Sequence, residues 1–269
     1  MTLGSWFGRV GFLFLALTLV FLTLPTVAIF TDTTPAQLIA ALGEPVVLDA
    51  LWLSFRTTVI AVLVIIVIGT PAAYFLARRE FRGRSLVLTL IELPLVMPPA
   101  VAGIALLAAF GPQGIFGAWV SDAGIELVLQ TAGVIVALIF VAAPFYLRQA
   151  VAAFASLDRG QLEASRTLGA GPFRTFLRVS VPGARPGLSS GLALAWGRAL
   201  GEFGATLMFA GSLQGVTQTA PLAIFSRFSD PDGFTAALAI SAVLIAVAAL
   251  ILLSVKLFGA DRALEGAGS

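Results

Sequence analysis

The chain has 269 residues, 59% of them hydrophobic and 11% charged, with a mean hydropathy of +1.01. So apolar a chain excludes an ordinary soluble domain. The absence of Cys and His excludes disulfides, thiol chemistry and nearly every zinc, haem or iron–sulfur scheme. Net charge is only +2, so the placing of the charges says more than their sum.

Arg9 precedes the apolar stretch Gly11 to Phe30. That stretch is longer than a signal-peptide core and lacks a convincing small-x-small cleavage site, so it is expected to remain as a first span. Further apolar runs of bilayer-crossing length follow, predicting six helical spans over about 10–30, 51–76, 86–110, 127–147, 188–210 and 235–257. A β-barrel is excluded, because barrel strands alternate over about ten residues and these runs are continuously apolar. The fold class is therefore an all-α membrane protein, read as one transmembrane domain over 1–269.

Thirteen of the 16 Lys and Arg residues fall on one side of such a chain. They are Arg9, then Arg78, Arg79, Arg82 and Arg84, then six arginines of 148–187, then Lys256 and Arg262. The opposite loops hold Asp32, Glu44, Asp49, Asp122, Glu126, Asp230 and Asp232, with Arg227 as their only basic residue. By the positive-inside rule both termini are expected in the cytoplasm.

Span 3 carries Glu92 with Pro94, Pro98 and Pro99. Each proline removes a backbone hydrogen bond, so the freed carbonyls must face protein or water. A kinked helix, a hinge, or carbonyls beside a passage all satisfy that need. Glu92 is suited to receive a hydrogen bond or an arginine.

The long inward loop, 148–187, cannot form a core of its own. Asp158 is a fair N-cap for a helix from about Arg159, and Gly169 can take the left-handed backbone that ends it. Pro172 suits the first turn of a second helix, with Phe173, Phe176 and Leu177 on one face and Arg174 and Arg178 on another. Pro182 and Pro186 are expected to break the chain before span 5. A basic loop resting on anionic lipid explains the arginines; a docking knob explains the glutamate, small residues and glycine between two helices.

Glu163-Ala164-Ser165, three residues, Gly169, nine residues and Val179-x-Val181-Pro182 resemble the EAA signature of permease subunits in binding-protein-dependent ABC importers. Ser165 replaces the second alanine, and valines replace the isoleucine and leucine. RALGEFGATLMFAG (198–211), TQTAPLAIF (217–225), ELPLVMPPAVAG (92–103) and FGPQGIFG (110–117) are similar to molybdate/tungstate permeases. Sulfate permeases share the LGEFG-like element. The resemblance implies a type I importer transmembrane domain acting as a homodimer. It also implies two cytoplasmic ATPase subunits carrying ATP and Mg, and an external oxyanion-binding protein. It makes Glu163, Ala164, Ser165, Arg166, Leu168, Gly169 and Ala170 the contact with the ATPase.

Span 5 holds Arg198 and Glu202 four residues apart, on one helix face, where they can neutralise each other as a structural pair. The alternative is that Arg198 lends positive potential to an anion path. Gly187-x3-Gly191 and Gly197-x3-Gly201, with Gly204 and Ala205 beyond, permit close helix packing. With the resemblance, Arg198, Gly201, Glu202, Gly204, Ala205, Pro98 and Pro99 become candidates for the path or gate. Thr217, Gln218 and Thr219 lie in the last outward loop; their donors can satisfy that loop, and their place makes them candidates for contact with the binding protein.

The chain contains no G-x4-G-K-[ST] phosphate loop, no catalytic triad or carboxylate pair on one span, and no metal-ligand set. No catalytic residue, metal or cofactor is expected on it, nor a nucleic-acid partner. An ion-coupled secondary transporter would need more titratable groups along a path, and an intramembrane enzyme would need a catalytic set.

Overall fold

The computed structural model describes residues 6–32, 34–231 and 233–265. Asp232 and the side chains of Lys256 and Arg262, used above for orientation, lie outside the described residues. The described residues are helical with no strand. In chain order the helices are α1 (Trp6–Thr31), α2 (Pro35–Leu42), α3 (Pro45–Arg78), α4 (Arg84–Val96), α5 (Pro99–Phe110), α6 (Gly117–Asp122) and α7 (Thr131–Ala155). They continue as α8 (Arg159–Thr167), α9 (Pro172–Thr175), a π-turn (Phe176–Ser180), α10 (Val181–Leu200), α11 (Gly204–Ala210), α12 (Ala220–Phe228) and α13 (Phe234–Glu265).

By length and hydropathy α1, α3, α7 and α13 can each cross a membrane alone, and α4 with α5 makes a fifth crossing if the pair is one span. The core is the contact of α7 with α3 on one side and α10 on the other. It is lined by small residues, among them Ala61, Ala73, Ala142, Ala150, Ala195 and Ala199. Lipid gives helices no hydrophobic reason to associate, so close backbone approach and dispersion must hold this contact, which is what alanines allow. Gly187 and Gly191 of α10 serve the same end against Ala153 and Gln149 of α7, while Gly197 meets nothing. The two small-residue pairs therefore divide: one is internal packing, the other lies open. α1 packs on α13 and buries none of its own residues.

Three sequence expectations need correction. Span 3 is not one helix: α4 and α5 meet at Met97–Pro98 with a bend of 119°. Consecutive prolines at 98 and 99 deny the next turn its donors, and Met97, preceding a proline, sits in extended backbone at ψ 132°. Span 5 is likewise interrupted, at Gly201–Phe203 between α10 and α11. Finally, Pro182 and Pro186 do not break the chain. From Pro172 the helix runs through the π-turn into α10, with Pro182 in its first turn and Pro186 inside it. Pro182 has no N–H for the carbonyl four residues back, and the widened turn bonds Val181 N to Phe176 O instead. The sequence analysis contains no signal for the short helices α2, α6 and α12.

Candidate coupling surface and anion path

The segment 158–180 is built by local rules. Asp158 Oδ1 accepts from Gly160 N at 2.8 Å and so caps α8. At the other end Gly169 has φ +80°, Gly169 N donates to Arg166 O at 2.9 Å, and Ala170 N donates to Ser165 O at 3.1 Å. This pair of bonds is the Schellman closure, and it needs the left-handed residue that glycine supplies without strain. Ser165 Oγ, where the resembling signature has alanine, shares a 3.0 Å hydrogen bond with Thr175 Oγ1 across the turn. The serine thus ties α8 to α9.

Leu162 is buried beneath α8, and Phe176 packs tilted against Tyr74 and Phe154, with centroids 4.9 and 6.2 Å away. Glu163, Ala164, Arg166 and Gly169 remain exposed, and Leu168, at 87%, is almost fully so. Ser165 and Ala170 are half-buried beneath that tip. A rigid base with an apolar residue at its exposed tip can seat in a groove of another protein. The same tip has no reason to fold over on itself.

The second cluster sits where both broken helices meet. α5 packs on α11 so closely that a Cβ on Gly204 would stand 2.6 Å from Pro99 Cβ, and one on Gly103 2.6 Å from Met208 Cβ. Arg198 Nη2 lies 2.6 Å from Glu202 Oε2, an approach without hydrogen-bond alignment. Glu202 Oε1 accepts from Ala205 N at 2.7 Å. Glu202 therefore caps α11 across the break, offering a negative group to the positive end of the helix.

The two charges are unequal in access. The Glu202 side chain is 1% exposed, whereas that of Arg198 is 27% exposed. Of the path candidates, Gly201, Pro98 and Pro99 reach the surface, Gly204 is half-buried, and Ala205 and Glu202 are interior. An anion passing here can meet Arg198 but not Glu202. Thr206 beside them is fully buried, with Oγ1 lacking a hydrogen-bond partner among the described residues, and was not anticipated. Glu92 does face an arginine, Arg148, at 3.9 Å in an exposed pair.

Thr217, Gln218 and Thr219 are buried. Thr217 Oγ1 accepts from Leu213 N at 2.8 Å and closes the loop before α12. Ser54 of α3 caps α12 by accepting from Ala220 N at 2.7 Å, and Trp196 Nε1 donates to Thr58 Oγ1 at 3.3 Å. These long-range bonds had no sequence signal. Arg227 had one, as the lone basic residue among the acids of its group of loops, and it pairs with Glu44 at 2.7 Å.

Residues 69–265 match the profile of the binding-protein-dependent transport system inner membrane component. The chain is 42% identical over 238 residues to the molybdenum transport system permease protein ModB of Mycobacterium tuberculosis, covering 88% of this chain and 89% of that one. It is 35% identical to the sulfate transport system permease protein CysW of Synechocystis, over 91% of each. Among solved structures, it overlays the bacterial alginate ABC transporter bound to its periplasmic protein with a TM-score of 0.75, at 17% identity and 93% coverage of each chain. It overlays the inward-facing MetNI methionine ABC transporter with a TM-score of 0.62, at 19% identity, covering 80% of this chain and 95% of that one. The exposed α8–α9 tip, the broken helices and these likenesses agree, and the chain belongs to the inner membrane components of binding-protein-dependent transport systems, permease subunits of ABC importers that leave ATP hydrolysis to a separate subunit.

Proposed function

We propose that this chain is the membrane-spanning subunit of an importer that carries a tetrahedral oxyanion, molybdate or tungstate, into the cytoplasm. The observation that carries the substrate is the 42% identity to a molybdenum permease over 88% of the chain. In this reading the chain crosses the cytoplasmic membrane six times, with α4–α5 and α10–α11 as broken spans and both termini inside. Two copies enclose one path, two ATPase subunits bind ATP and Mg below, and an oxyanion-binding protein docks outside.

The tip from Glu163 to Ala170 seats in the ATPase. Because α9, the π-turn and α10 form one rod, a push on that tip is delivered directly to the Arg198–Glu202 end of α10. Approach of the ATPases on binding ATP then drives the spans outward-open, and hydrolysis returns them. Arg198 offers its exposed face to the anion, while Glu202, behind it, keeps the arginine from trapping a divalent oxyanion. Gly201, Gly204, Ala205, Pro98 and Pro99 form the joint on which the gate turns. Thr217, Gln218 and Thr219 shape the outer loop that meets the binding protein.

Sulfate is the second reading, favoured by 35% identity to a sulfate permease over 91% of the chain. The test is ATP hydrolysis by the permease–ATPase complex in proteoliposomes with its binding protein. Stimulation by molybdate or tungstate and not by sulfate is expected. Stimulation by sulfate alone overturns the molybdate reading, and uptake that survives loss of the ATPase overturns the importer.

A further inference from the structure

A hollow of about 570 Å³ lies between the end of α3, the α3–α4 turn and the coupling helix α8. Five arginines line it: Arg78, Arg79 and Arg84 from the α3–α4 side, Arg159 and Arg166 from α8. Only Glu80 and Glu163 oppose them. None of the five forms an ion pair among the described residues. Arg84 Nε donates to Leu76 O at 2.9 Å, Arg78 Nη2 reaches Leu157 O at 3.5 Å, and Arg78 Nε is buried without a hydrogen-bond partner. So many guanidiniums around one concavity repel one another, and an anion entering it relieves that repulsion.

Depth selects the anion. Arg78 ends one membrane-crossing helix and Arg84 begins the next, so the hollow sits at the membrane boundary. Arg79 of the lining lies over the Phe75 ring at 5.9 Å, and Phe75 and Phe81, 51% and 39% exposed, pack with centroids 5.8 Å apart. Exposed aromatic rings next to forked cations present apolar surface to acyl chains and bidentate donors to phosphate oxygens. Basic pockets at this depth hold phosphorylated lipid headgroups.

We propose that the hollow binds a phosphate group, carried by an anionic phospholipid of the inner leaflet, and that this lipid braces α8 against α3. The inference rests on the proposed inward placement of this end, but not on which oxyanion is carried. The test is native mass spectrometry of permease taken from nanodiscs of phosphatidylcholine with phosphatidylglycerol, alone and with its ATPase. Lipid retention is read on the permease itself, so it separates from any failure of transport.

Wild-type protein retains phosphatidylglycerol in both states. Arg79→Gln with Arg159→Gln lowers retention about tenfold or more, the loss of two surface cations facing anionic lipid, while Arg79→Lys with Arg159→Lys keeps a measurable part of it. Arg185→Gln, an exposed arginine outside the hollow, leaves retention unchanged. Equal loss in Arg185→Gln, or none in the double glutamine variant, overturns the site. Release of the lipid when the ATPase binds overturns it too, assigning the hollow to docking. Stabilisation of lipid-free protein by inorganic phosphate, without phosphatidylglycerol retention, overturns the lipid as the source.

Discussion

At Gly169 the chain turns in open space: φ is +80°, and no atom stands within 4 Å of where a Cβ would be. At Gly204 the backbone is unremarkable, but a Cβ would run into Pro99. The first glycine is there for its torsion and the second for its size. The exposed α8–α9 tip and the packed joint of α5 and α11 both interrupt helices, yet one is encoded within a few residues and the other only by the fold. Substitutions should therefore fail differently in the two regions, by coupling at the first and by folding at the second.

The largest effect is expected at Glu202. Its carboxylate is buried, neutralises Arg198 and caps α11. Removing one partner of a buried pair costs about 3–5 kcal/mol, and the partial exposure of Arg198 puts Glu202→Ala at the lower end of that range. Glu202→Gln keeps an acceptor for Ala205 N and should lose less, while leaving Arg198 unpaired. Thermal inactivation of the purified permease checks the order wild type, Gln, Ala. If Ala and Gln are equal, the cap contributes nothing.

Next comes Gly204→Ala, where one methyl group must displace Pro99 or the start of α5. Overpacking of this kind costs about 1–3 kcal/mol. A lower midpoint for thermal inactivation is expected, and no loss at all would mean that α5 and α11 are not tightly keyed. Gly197→Ala, inside the same rod, meets nothing within 4 Å and should raise stability of the isolated chain by about 0.5–1 kcal/mol, since Ala suits a helix interior better than Gly.

What the sequence could reveal follows the same division. Asp158, Gly169 and Pro172 each act on atoms within a few residues, and all three take the positions that local chemistry assigns. Apolar runs located the long helices, but not the 119° bend, because prolines announce a missing hydrogen bond and not the angle that results. The π-turn was hidden for a related reason. Pro182 reads as a break, yet it stands in the first turn of α10 after a widened turn in which Val181 N bonds Phe176 O, and the rod continues. Arg198 and Glu202 were legible as a pair from their spacing. That Glu202 caps α11 was not, since the cap exists only once the helix has broken at Gly201–Phe203.

The third effect sharpens the contrast. Gly169→Ala forces a side chain into left-handed backbone, at about 1–2 kcal/mol, in a segment that supports no core. Global stability should hardly move, while substrate-stimulated ATP hydrolysis falls and basal hydrolysis stays. A folding defect equal to that of Gly204→Ala would erase the distinction between the regions.

The smallest effect is expected at Asp158. Its carboxylate caps α8 from an exposed position, so Asp158→Ala should cost about 1 kcal/mol, felt as fraying of the first turn. That turn carries Arg159 and leads to Leu162, the buried anchor of α8. Fraying therefore loosens the base of the tip without altering any residue proposed to touch the ATPase. Asp158→Asn retains an acceptor and should recover most of the coupling, because a cap depends on the hydrogen bond more than on full charge. If Asn fails where Asp succeeds, charge at the helix end governs, and Asp158 then acts on its arginine-rich surroundings more than on Gly160 N. Limited proteolysis at 156–162, compared with the coupling ratio in the same three proteins, separates the two.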